Sequence, residues 1–191
     1  MREVLQQILD VDNKYLDEID LSPYAEFTKA YDVPKQWFYG LSGQEHYRLL
    51  IYIGHLYKNQ TLLDVGTYHG SSALALGVNK VNQIKSFDLL RQPEIAYINE
   101  DNIEFKLENI LENNDELMLS APFIMLDTDH DGPFEDAFYA HLKKINYKGL
   151  LFLDDINLND PMKKFWAGIT EEKYELTSKA HWSGTGIVVF E

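Results

Sequence analysis

Apolar positions along this chain follow two rhythms, and the change between them falls at Asn59-Gln60. Before that point the spacing is helical. Val4, Leu5, Ile8, Leu9 and Val11 recur every three or four residues among acids and glutamines, which predicts a helix within 1–19. Pro23 and Pro34 interrupt the pattern, and Tyr24, Phe27, Tyr31, Trp37, Phe38 and Tyr39 make the stretch around them aromatic. A second helix is expected from Gln44 to Tyr57, with Ser42 or Gly43 near its start and Leu49, Leu50, Ile51, Ile53 and Leu56 on it. After Asn59-Gln60 the chain alternates short apolar runs with amphipathic ones. Strands are expected near 61–66, 82–88, 103–107, 122–127 and 149–154, and helices near 71–79, 93–100, 112–119, 134–146 and 159–168.

Buried apolar strands alternating with helices specify an α/β fold, a mostly parallel sheet with helices on both faces. The tail departs from this rhythm. Tyr174-Glu175-Leu176-Thr177 and Gly186-Ile187-Val188-Val189-Phe190 stand too close in sequence for a parallel crossover, so they predict a C-terminal antiparallel hairpin. The reading is a single domain in two parts, an N-terminal helical segment (1–60) and an α/β core (61–191), which the resemblance described below makes a substrate-side segment and a cofactor-binding core.

Residues 62–72 read Leu-Leu-Asp-Val-Gly-Thr-Tyr-His-Gly-Ser-Ser. A buried strand here delivers its carboxyl end into a tight turn that opens a helix. In open α/β sheets such strand ends form the crevice where nucleotide-like ligands bind. Glycine lets the backbone approach a ligand closely, and a new helix offers unpaired N–H groups. An acid just before Gly66 suits a cationic or donor-bearing ligand better than a pyrophosphate. The right-handed crossover rule then brings the other strand ends to the same rim: Asp64, Asp88, Asn109, Asp127, Asp129, His130, Asp154 and Asp155. Any single aspartate in that set is explained by turn or cap chemistry; recurrence at successive strand ends is not.

Composition narrows the ligand. The chain has 191 residues, 31 acidic against 17 basic, for a formal charge of −14. Such a surface repels phosphate backbones, which excludes nucleic acid as the expected partner and favours a neutral or cationic small molecule. There is no cysteine, hence no disulfide, thiolate nucleophile or thiolate metal site. No segment approaches the roughly 18 apolar residues of a membrane span, and the first residues lack the apolar core of a signal peptide. The expectation is a cytoplasmic protein that does not engage a membrane. Its oligomeric state is open, with a homodimer among the possibilities.

Asp64-Val65-Gly66-Thr67-Tyr68-His69-Gly70-Ser71-Ser72 is similar to the first motif of the class I S-adenosylmethionine-dependent methyltransferases, and within them resembles the metal-dependent, catechol-type O-methyltransferases. The similarity runs from about Leu62 to Glu191. It implies the Rossmann-like class I methyltransferase fold and S-adenosylmethionine as cofactor. The loop through Gly66, Tyr68 and Gly70 would hold the amino-acid end of the cofactor, with Asp64 reaching it directly or through water and Ser72 binding its carboxylate. Charge supports this: a zwitterion wants an anion beside its ammonium and helix N–H groups beside its carboxylate. Asp88 matches the acid that accepts both ribose hydroxyls; alternatively it caps the helix that Pro93 opens. Asn109 falls where relatives contact the adenine edge, although an acid is commoner there.

In the same family a carboxylate at the fourth strand end joins a pair at the fifth to hold Mg²⁺. By resemblance those residues are Asp127, which also borders the cofactor, with Asp154 and Asp155. Three converging carboxylates need either a cation or an internal basic partner, because they otherwise repel one another. His130 stands where relatives place a lysine that deprotonates the acceptor hydroxyl; it is the expected base, with Asp129 as the alternative or as the group that orients it. His181 and Trp182, in the turn before the last strand, either line the substrate side or anchor the hairpin. Trp37, Tyr39 and Ser42–His46 are where the resemblance expects a lid. The implied activity is methyl transfer to a small hydroxylated acceptor, a phenol or a sugar. Two other readings stand beside it. One is a non-catalytic binding module on the same fold. The other is a dinucleotide-dependent oxidoreductase, disfavoured because Gly66-x-x-x-Gly70 is not the G-x-G-x-x-G fingerprint.

Overall fold

The computed structural model describes residues 1–22 and 41–191. The aromatic segment with Trp37 and Tyr39 lies outside the described residues. The described elements are α1 (Arg2–Asp10), α2 (Asn13–Asp17), α3 (Leu41–Leu56), β1 (Thr61–Val65), α4 (Ser71–Leu76), β2 (Gln83–Asp88), β3 (Ile103–Leu107), α5 (Asp115–Ser120), β4 (Phe123–Leu126), α6 (Pro133–Lys144), β5 (Gly149–Leu153), α7 (Asp160–Gly168), β6 (Glu172–Glu175) and β7 (Gly186–Phe190). Short 3₁₀ turns span Pro93–Tyr97 and Thr177–Lys179.

Seven strands form one sheet in the order β3-β2-β1-β4-β5-β7-β6. The first five are parallel, and β7 runs antiparallel to both β5 and β6. Period-2 alternation sorts each central strand between two cores. Leu62, Met125, Phe152 and Val189 face α1, α2, α3 and α4. Leu63, Ile124, Leu151 and Val188 face α5, α6 and α7. Both faces being covered is why these strands read as continuous apolar runs.

The first helical segment departs from expectation. The chain is extended at Val11, and Asp12 accepts a hydrogen bond from the Lys14 amide at 2.9 Å, so one helix ends at Asp10 and another starts at Asn13. A side-chain acceptor placed to cap outcompetes continuation of the helix. The expected helix over 93–100 is a single 3₁₀ turn, and the first strand of the terminal hairpin begins two residues early, at Glu172. Among the described residues no helix is long and apolar enough to cross a membrane.

Register places the site. Val65 lies opposite Phe87 and Leu126, Leu126 opposite Leu153, and Leu153 opposite Gly186. One row therefore crosses the sheet where four parallel strands end. The residues just beyond it, Gly66, Asp88, Asp127 and Asp154, share a rim. Because β7 is antiparallel, its start rather than its end meets that rim, which brings in His181–Thr185.

Candidate functional site

The order of strands reverses between β1 and β4, and a cleft of about 760 Å³ opens there, within the roughly 300–1,000 Å³ typical of small-ligand sites. One half of it is built by the loop after β1. Gly66 has φ +102°, and a Cβ there would meet the Asp127 carbonyl oxygen at 1.5 Å, so no other residue fits between β1 and β4. Tyr68 follows at φ 42°, and its amide donates to the Asp88 carboxylate at 2.9 Å. Asp88 also accepts from the Leu90 amide at 2.9 Å. It thus closes its own turn and ties β2 to the β1 loop, rather than capping the 3₁₀ turn at Pro93. A carboxylate has about four acceptor positions, so Asp88 retains capacity toward the cleft it lines. Ser72 lines the same half, from the first turn of α4. Gly70, at φ +81°, packs against Ile98 and Ile95.

Asp64 stands one layer behind the cleft. It is completely buried; its Oδ2 accepts from Ser86 Oγ at 2.5 Å, and Ser86 Oγ lies 2.6 Å from Thr67 Oγ1. Oδ1 has no hydrogen-bond partner among the described residues. Burial pushes its pKa up to about 7, against the pull of the Ser86 and Ser72 hydroxyls. Asn109 lines the cleft with Glu108, but its side-chain oxygen accepts from the Leu111 amide at 3.1 Å and its amide nitrogen donates to Glu112 Oε1 at 3.4 Å, so both ends already serve its own turn.

The other half is acidic and ringed by imidazoles. Asp127, Asp154 and Asp155 all line it, as expected, and so do His46, His130 and His181. His130 Nε2 lies 3.2 Å from Asp127 Oδ1 and 3.7 Å from Asp155 Oδ2. Burial works against a charge on His130, yet the carboxylates of Asp127 and Asp155 outweigh it and raise its pKa. Asp129 is exposed on the rim, and the acids beside His130 are Asp127 and Asp155. Asp155 lies 3.0 Å from His181 Nδ1 and accepts from Ser183 Oγ; burial is overcome by these contacts and its pKa falls. Asp154 shifts the opposite way, pushed well up by burial and then by the charges of Asp127 and Asp155. His46 is buried as deeply, and burial lowers its pKa to about 4.

Donor atoms within 4.8 Å of one another form two groups among the described residues: His46, Asp127 and Asp154, and His130, Asp154 and Asp155. Asp127 and Asp155 share neither group. The oxygen-only trio expected from sequence thus becomes two trios, each with one imidazole and with Asp154 in common. Both groups fit a divalent cation by donor type. His130 and Asp155 both have φ +57°, in the left-handed region that non-glycine residues avoid, a strain that concentrates at functional sites.

Sequence reasoning placed His46 only within a lid segment and missed Glu135 and Ser183 altogether. His46 had a faint signal: it falls on the buried stripe of α3, three, four and seven residues before Leu49, Leu50 and Ile53, where packing alone calls for an apolar side chain.

No family model and no curated protein sequence matches the chain. Solved structures do. A methyltransferase from Podospora anserina bound to S-adenosylhomocysteine superposes with a TM-score of 0.68 at 17% identity, covering 93% of each chain. An O-methyltransferase from Bacillus cereus with S-adenosylhomocysteine gives 0.61 at 13% identity, over 94% of this chain and 96% of that one. An O-methyltransferase of tomaymycin synthesis from Streptomyces achromogenes, solved with S-adenosylmethionine, gives 0.57 at 17% identity, over 98% and 95%. At these identities the likeness establishes the fold, which is the Rossmann-like class I methyltransferase fold anticipated from Asp64–Ser72.

Proposed function

We propose that this chain is an S-adenosylmethionine-dependent O-methyltransferase that acts on a small hydroxylated acceptor, a phenol or a sugar, with the help of a divalent cation. The observation that carries the reading is the division of one cleft into two chemistries. Asp88 and the Gly66–Ser72 loop line one half; an imidazole among carboxylates lines the other. When bound, S-adenosylmethionine supplies an electrophilic methyl group, and a cation held by the carboxylates supplies positive charge for the acceptor oxygen, Mg²⁺ being the ion the resemblance implies.

The remaining chemistry belongs to the chain's own residues. Asp88 accepts the ribose hydroxyls with the lone pairs that Tyr68 and Leu90 leave open. Ser72 donates to the amino-acid carboxylate. His130 takes the acceptor hydroxyl's proton at Nε2, and Asp127 at 3.2 Å stabilises the imidazolium that results. Asp127 and Asp154 hold the acceptor end of the cleft. Val65, Phe87, Ile110 and Phe134 give the cleft apolar walls. Positioning and electrostatics supply the rate enhancement.

The test is calorimetric titration of S-adenosylmethionine into the purified protein. Micromolar binding is expected, weakened at least about tenfold in Asp88→Ala, the equivalent of one hydrogen bond to a charged group. A folded protein that takes up no cofactor would end the methyltransferase reading.

A further inference from the structure

The cation expected between the strand ends is one that oxygen ligands alone satisfy, yet the deepest donor facing that place is a nitrogen. His46 and Asp154 are 4% and 7% exposed. His46 Nδ1 and Asp154 Oδ1 are both buried without a hydrogen-bond partner among the described residues. They face each other at 3.5 Å, too far for the N–H···O bond that would satisfy both. Two unpaired polar atoms side by side in a protein interior are costly unless a third party sits between them. Two donors each about 2.1 Å from a single ion, at a tetrahedral angle, stand about 3.4 Å apart. The observed separation matches that of co-ligands and not that of a hydrogen-bonded pair.

Packing fixes the imidazole in this place. Phe152 and His181 lie edge-on to the ring, with centroids 6.0 Å away in each case, and α3 holds His46 through its buried stripe. Asp127 completes a trio whose donor atoms lie within 4.8 Å of one another. His130, the more exposed imidazole and outside that trio, is left for proton transfer.

We propose that His46 Nδ1 is itself a ligand of the cation, together with Asp127 and Asp154, and that the site selects a first-row transition ion over Mg²⁺. The inference rests on the methyltransferase reading only for the ion's purpose, not for its place. Mg²⁺ demands a near-ideal octahedron of oxygens, whereas imidazole with carboxylate suits ions from Mn²⁺ to Zn²⁺.

The experiment titrates Mn²⁺, Zn²⁺ and Mg²⁺ separately into chelator-treated protein by calorimetry, then examines the Mn²⁺ adduct by pulsed EPR. Transition ions should bind at least tenfold more tightly than Mg²⁺, and the bound Mn²⁺ should show nitrogen coupling. In His46→Leu, which suits the apolar stripe of α3, that coupling should vanish and Mn²⁺ affinity should fall at least tenfold. The wild-type spectrum stands as a test even if the variant does not fold. Mg²⁺ binding as tight as Mn²⁺, no binding of any ion, a wild-type adduct without nitrogen coupling, or coupling that survives His46→Leu would each overturn the proposal. S-adenosylmethionine is titrated into the same samples. Cofactor binding alongside any of those failures leaves the methyltransferase reading standing, and its absence from the wild type removes that reading instead.

Discussion

Asp64 shows how far one residue's chemistry can move when the chain closes over it. In the sequence it is an acid two residues before a glycine; in the fold it is sealed behind Thr67 and Ser86 with a pKa of about 7. The unfolded chain releases that proton near pH ~3.9. Between about pH 4 and 7 the folded state therefore holds more protons than the unfolded one, and stability falls as pH rises through that window. The loss is complete above pH 7 and amounts to on the order of 4 kcal/mol. Asp64→Asn keeps the neutral shape at every pH. Urea unfolding at pH 5 and pH 8 should show the wild type losing stability relative to this variant as pH rises; parallel behaviour of the two proteins would refute a buried, proton-holding Asp64. The acid was legible as part of the β1 motif. Its protonation was not, because desolvation depends on what packs over it.

At the scale of elements, the loop from β4 into α6 carries the proposed base, and two side chains clamp it from opposite sides. Glu135, buried in the first turn of α6, accepts from Thr128 Oγ1 at 2.8 Å and from the amides of His130 at 3.1 Å and Gly132 at 3.0 Å. Asn159, the N-cap of α7, donates to the His130 carbonyl at 2.8 Å while its oxygen caps the Met162 amide at 2.9 Å. Together they hold His130 at a backbone angle it would not choose. Glu135→Ala removes a charged acceptor shared by three donors and should cost roughly 2–4 kcal/mol. Thermal or urea unfolding checks that figure. Turnover of the variant should fall while S-adenosylmethionine affinity holds, since Glu135 acts on the base and not on the cofactor half. A variant of unchanged stability would show that the three donors find other partners. An acid just after Gly132-Pro133 is a readable helix-start signal. That it also fixes the His130 loop follows from the loop's path, which no local pattern encodes.

For the molecule as a whole, the two halves of the cleft should come apart under metal removal. S-adenosylmethionine at a hundred times its Kd should raise the unfolding free energy by about 2.7 kcal/mol and the melting temperature by roughly 5–10 °C. EDTA should leave that shift in place and abolish methyl transfer, because the ligands proposed for the cation lie in the other half of the cleft. A shift lost in EDTA would mean that the cation helps to hold the cofactor, and full turnover in EDTA would remove it from the reaction. The formal charge of −14 adds to the case for a cation, since little basic surface is at hand to neutralise the carboxylates from outside.

The sequence by itself determined the parallel sheet, its closing hairpin, the Gly66–Ser72 loop and the aspartates at the strand ends. Apolar periodicity, glycine at a forced turn and acids at strand termini are local properties, written in neighbouring residues. Tertiary structure alone decided which of those residues meet. His46 arrives on a helix that precedes the sheet, and His181 arrives because β7 is antiparallel and begins where β5 ends. The burial that leaves His46 Nδ1 and Asp154 Oδ1 facing each other unpaired depends on both. Contacts between residues a hundred positions apart are set by register and packing, and these exist only once the chain has folded.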